Sequence, residues 1–228
     1  MLLFAWLVSA VLAQELPAPV SPWTELKQDI IQAQGNADHR QIPLLFVVEG
    51  GSKWDGLAVL NAQITKVNTI LAKCGVAIGE VAVKTVVWHE GLVNRINNAS
   101  PYKAPAILEL VKGAELPATR PVLFLFGKGL AQTAKAMNRT SVDFYARTFP
   151  ESEAMLNMIV MTEQYINNTP VPHATATYNT MAHELVHLLG NAGHIPENRN
   201  LMSDFETRGS QTGDLNTAQC QAIQGFPY

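Results

Sequence analysis

Leu44-Leu45-Phe46-Val47-Val48 is an unbroken apolar run stopped by Glu49-Gly50-Gly51. A run without alternation has no face to offer water, so it fits a strand covered on both sides, as in a parallel sheet. Downstream, Leu57, Leu60, Ile64, Val67, Ile70 and Leu71 recur at helical spacing, Cys74-Gly75 supplies a stop, and Val76 to Val87 is again β-rich. Strand, helix and strand with short joints make a βαβ unit, whose strands run parallel and whose crossover is right-handed. Pro121 to Phe126, closed by Gly127, reads as a third buried strand and Met158 to Thr162 as a further one. The expected class is therefore α/β, with a twisted, mostly parallel sheet.

The connecting stretches are read from their punctuation. After the Pro-containing spacer ELPAPVSPW, the polar segment from Trp23 to Gln34 reads as helical, a lead-in over residues 14–41. Asn94 to Lys103 is loop-like and Ala104 to Val111 a short helix. Between Lys128 and Glu153 the pattern weakens, with Gly129-Leu130-Ala131 the candidate start of an exposed edge strand. A helix is expected from Thr175 to Leu189, with Thr175 or Thr177 as N-cap and Gly190 as its stop. Leu215 to Ile223 is a short helix carrying Cys220.

With 228 residues, 47% hydrophobic and 15% charged, the chain can bury the core of one globular domain. A net charge of -3 and the lack of any long Lys or Arg run argue against a nucleic-acid partner or a polybasic membrane anchor. MLLFAWLVSAVLA is too short to span a bilayer and ends in a small-residue site before Gln14, the form of an export signal over residues 1–13. Its basic n-region is missing, and a buried N-terminal helix or strand is the alternative. Export predicts a secreted protein, extracellular or periplasmic, and the chain is expected to be a monomer without a membrane anchor. In such a compartment Cys74 and Cys220 would close a long loop worth about 3–5 kcal/mol and fasten the C-terminal helix to the crossover helix; two buried thiols are the other reading. Asn98, Asn138 and Asn167 head glycosylation sequons, and Trp54 and Trp88 suit core and rim packing.

The chemistry concentrates in His183-Glu184-Leu185-Val186-His187. Residues four apart share a helix face, so His183 and His187 can converge on one metal ion, while Glu184, rotated by about 100°, can reach the metal's water. Apolar neighbours on both sides bury that helix. Beyond Gly190, the short Asn191-Ala192-Gly193 stretch can bring His194 back as a third nitrogen. Three neutral imidazoles leave one tetrahedral position open for water, as a catalytic zinc site requires, and no thiolates are present to close a structural one. His39, His89 and His173 have no ligand-like spacing and read as surface or structural.

HELVHLLGNAGH followed by Asn200-Leu201-Met202-Ser203 resembles the metzincin clan of zinc endopeptidases. The resemblance implies a zincin-like fold with an active-site helix and a small irregular C-terminal lobe: a catalytic domain over 42–228, upper lobe 42–190 and lower lobe 191–228. It implies Zn²⁺ held by His183, His187 and His194, Glu184 as general base, Gly190 as the turn glycine and Met202 as the Met-turn residue beneath the metal. The clan's third histidine would fall at Gly193, so the loop must absorb one extra residue, through a backbone angle that glycine accepts. Asp204 or Glu206 are the substitute ligands. The function so implied is a secreted zinc endopeptidase acting on a peptide or protein, which would lie antiparallel to the edge strand. The alternative is a secreted, zinc-stabilised binding or effector protein on the same scaffold without peptide turnover.

Overall fold

The computed structural model describes residues 21, 23–33, 35–89, 120–127, 146–148, 158–162, 179–190, 192–197, 199–203 and 213–227. The expected signal at 1–13, the helix at 104–111, the edge strand at 129–131, the three sequons, His173, Thr175, Thr177, Asp204 and Glu206 lie outside these residues. No helix among the described residues is long and apolar enough to cross a membrane.

Strands β1 (Trp23–Gln32), β2 (Arg40–Glu49), β3 (Val76–Trp88), β4 (Val122–Phe126), β5 (Ala146–Thr148) and β6 (Met158–Thr162) form one sheet in the order β1-β3-β2-β4-β6-β5. The inner pairs β3/β2, β2/β4 and β4/β6 are parallel, and the two outermost strands run antiparallel to their neighbours. The α-helices among the described residues are α1 (Leu57–Leu71), α2 (Thr180–Gly190) and α3 (Thr217–Gln224). The β2-α1-β3 unit is the one the apolar pattern predicts.

Alternation along β2 shows why its run is continuous. Leu44, Phe46 and Val48 enter the core shared with α1 and α2. Leu45 and Val47 face the other way, opposite Val122 and Phe124, and are buried as well. On that second face Trp23, Trp88, Phe124 and Phe126 form an aromatic cluster, with Trp23 edge-on to Trp88 at 5.3 Å and Trp88 stacked on Phe126 at 4.7 Å. Trp54 and Trp88 are both buried, as expected of packing residues.

The segment expected to begin with a helix at Trp23 is instead strand β1. Trp23, Leu26, Ile30 and Ile31 have helix-like spacing, but a β-bulge between Glu25 and Lys27 accounts for it. Because Leu26 is inserted, Trp23 pairs with Trp88 and Ile31 with Val81, two β3 positions of opposite parity. Trp23 therefore joins the aromatic cluster on one face and Ile31 the helix-side core on the other, while Leu26 is 57% exposed.

Helix α1 buries Leu60, Ile64, Val67, Ile70 and Leu71 and leaves the first residue of the series, Leu57, exposed. Two amides share its buried face, both satisfied. Asn68 receives the Ile78 N–H at 2.6 Å and donates to the Ile78 carbonyl at 2.9 Å. Gln63 accepts from Asn179 at 3.0 Å, which ties α1 to the start of α2. Gly75, at φ 66°, ends the turn after α1 in the left-handed conformation. Cys74 and Cys220 are joined in a disulfide that links this turn to α3 across 146 positions. Lys73 pairs with Asp214, the Gln224 amide donates to the Cys74 carbonyl at 2.6 Å, and the Arg40 guanidinium donates to the Phe226 carbonyl at 2.5 Å. The C-terminal residues are thus fastened to the N-terminal ends of β2 and β3.

Candidate metal centre

Helix α2 starts at Asn179, whose side chain accepts the Ala182 N–H at 2.9 Å while its carbonyl accepts that of His183 at 2.9 Å. Asn179 is the N-cap, in place of the threonines proposed upstream. Its amide nitrogen grips Gln63, so the same residue starts the helix and sets it against α1. From this fixed origin His183 and His187 fall one turn apart on one face, and Met181, Ala182, Leu185, Val186, Leu188 and Leu189 are buried around them.

Gly190 is the last residue of α2, and the feature that requires glycine there is a close approach. A Cβ at this position would lie 3.3 Å from Ile223 Cγ1 on α3. Nor does Gly193 absorb the extra residue by a left-handed angle, because the positive-φ glycines among the described residues are Gly51 and Gly75.

His183 Nε2 lies 3.1 Å from His187 Nε2 and 3.1 Å from His194 Nε2, and the third side of the triangle is 3.2 Å. His183 is buried, His187 half-buried and His194 exposed. A tetrahedral ion bound at about 2.0–2.1 Å requires ligand nitrogens roughly 3.3–3.4 Å apart, close to this spacing.

The tautomers make the same case independently. His183 Nδ1 lies 2.8 Å from the Leu201 carbonyl and His187 Nδ1 2.5 Å from that of Ala192. A carbonyl can only accept, so each Nδ1 carries the proton and each neutral ring directs an unprotonated Nε2 at the other. Two lone pairs 3.1 Å apart without a proton between them repel, and a cation at the centre of the triangle removes the repulsion. Burial pushes the His187 pKa below its ordinary value of 6.5, against the opposing pull of the Ala192 carbonyl, and so favours the neutral, ligand-competent form. The residues present fit a divalent cation that takes nitrogen donors.

Glu184, next along α2, is buried at 8% exposure. Met202 is fully buried, in the core that contains the apolar face of α2. Its turn, Asn200 to Ser203, is closed by the Ser203 N–H on the Asn200 carbonyl at 3.2 Å. Neither His39 nor His89 joins the cluster. His39 contacts Asn36 in its loop, and His89 is exposed. Sequence reasoning did not single out Asn179, Asn200 or Gln219. Only Asn179 carries a local signal, an Asn directly before an apolar helical run.

No family model matches the chain, and no curated protein matches it in sequence. Among solved structures, metalloproteinase-II from Bacteroides fragilis shares the fold, with a TM-score of 0.50 at 14% identity. The match covers 86% of this chain and 56% of that one, so the chain spans little more than half the length of its structural neighbour.

Proposed function

We propose that this chain is an exported zinc-dependent endopeptidase. The observation that carries the proposal is the triangle of Nε2 atoms, two of them on rings whose Nδ1–H is held by a backbone carbonyl, so that the neutral ring turns its unprotonated nitrogen inward. An all-imidazole donor set with three members suits zinc and leaves a fourth position for a reactant. Zinc held there would supply a Lewis acid and lower the pKa of a water molecule toward neutrality.

The protein's own groups would do the rest. Glu184 would take the proton from the attacking water and return it to the leaving amine. Its burial keeps that carboxylate in a medium where charge effects are strong. Among the described residues, strand β5 lies beside α2 as the outermost strand on that side of the sheet, antiparallel to β6. An extended peptide would pair in antiparallel fashion with the edge strand of the sheet on that side. The disulfide suits an oxidising destination.

Replacing Glu184 by Gln tests the assignment. Zinc content should stay at the wild-type level while chelator-sensitive cleavage of a mixed peptide library disappears. Full hydrolysis by Glu184→Gln would reject the base. Wild-type protein that holds zinc yet cleaves no peptide would favour the non-catalytic effector reading.

A further inference from the structure

We infer that Gln219, acting through Asn200, is a positioning residue for the metal ligands, and that the two buried amides form a clamp on the turn beneath the centre. Asn200 Nδ2 donates to Gln219 Oε1 at 2.9 Å, and Gln219 Nε2 donates back to Asn200 Oδ1 at 3.1 Å. Both residues are buried, at 4% and 6% exposure. Backbone donors fix which atom of each amide is the oxygen. Met202 N–H donates to Asn200 Oδ1 at 2.8 Å, and Asn216 N–H donates to Gln219 Oε1 at 2.8 Å.

The clamp reaches the ligands through two successive carbonyls. The peptide between Leu201 and Met202 is a rigid plane, so its N–H and C=O turn together. Asn200 holds the N–H, and the C=O is the one bonded to His183 Nδ1 at 2.8 Å. The next carbonyl, that of Met202, accepts the Ile195 N–H at 2.9 Å, directly after His194. One amide pair therefore governs the tautomer and orientation of His183 and the placement of the His194 backbone. Its far side is anchored, because Gln219 also closes a capping box with Asn216 at the start of α3, and the neighbouring Cys220 is bonded to Cys74.

This inference rests on the metal-site reading above, and the test separates the two. Zinc affinity, by chelator competition, and the thermal midpoint of the metal-free protein would be measured for wild type, Gln219→Leu, Gln219→Glu and Gln224→Ala. Glutamate at 219 keeps the acceptor atoms and replaces the N–H donor to Asn200 by a buried acid oxygen, so it supplies the reading should leucine prevent folding. Gln224→Ala cuts a different bond from the same helix, the one to the Cys74 carbonyl. Both Gln219 variants should weaken zinc by about 10- to 100-fold, as loss of an outer-shell partner does, and Co²⁺ bound to Gln219→Glu should show an altered visible spectrum. Gln224→Ala should lower the thermal midpoint yet hold zinc as wild type does. Gln219 variants with wild-type zinc affinity and an unchanged cobalt spectrum, whatever their thermal midpoint, would overturn the positioning role. Wild-type protein that fails to bind zinc would overturn the metal site itself and the clamp with it.

Discussion

His194 stands one position beyond the clan's third ligand, yet its Nε2 lies 3.1 Å from that of His183 and 3.2 Å from that of His187. The spacing rule is thus a proxy for a spatial condition that the loop satisfies in another way. Because this ring is the exposed member of the three, His194→Ala should fold with little loss of stability while zinc affinity falls more than the roughly 10–100-fold expected for an outer-shell change; urea unfolding of the metal-free variant checks the first and isothermal titration with zinc the second. His187 adds a pH dependence whose sign follows from burial. Its folded pKa lies below 6.5, so between that value and 6.5 the unfolded chain binds more protons. Its contribution is intact above about pH 6.5 and is lost as pH falls through the folded value. Urea midpoints of the metal-free protein should be level above pH 7 and decline on acidification below about 6.5, with a smaller decline for His187→Gln.

At the scale of elements, legibility tracked how locally each element is determined. The β2-α1-β3 unit could be read because the run Leu44 to Val48 is buried on both faces of the sheet and the helix period is regular. Strand β1 could not, since its identity depends on pairing with β3 and its bulge imitates a helical period. The start of α2 was misplaced because several threonines precede it, whereas Asn179 caps the helix through its own side chain and is anchored by a tertiary bond to Gln63. Asn179→Ala removes both the cap and that partner, and should cost about 1–2 kcal/mol in urea unfolding. At the end of α2, Gly190→Val would drive a side chain into Ile223 on α3, with an expected loss of about 1–3 kcal/mol by the same measurement.

Across the whole molecule, the three histidines that meet were legible as a motif, whereas the machinery that holds them was not. The motif is local, one helical turn and a short return. The holding bonds, from Leu201 to His183 and from Gln219 to Asn200, join positions 18 and 19 residues apart, and each has one end in a turn with no regular pattern. The Cys74–Cys220 disulfide ties this C-terminal region to the crossover helix over 146 positions. Opening a loop of that size should lower stability by about 3–5 kcal/mol, seen as a fall in the urea midpoint of a Cys74→Ser, Cys220→Ser double variant.

The central claim is that three imidazole nitrogens share one zinc ion. X-ray absorption at the zinc edge of the loaded protein tests it most directly. The arrangement predicts a first shell of nitrogen and oxygen donors at about 2.0–2.1 Å with the multiple-scattering signature of three imidazoles. A shell with two imidazoles or fewer, or one containing sulfur, would contradict it.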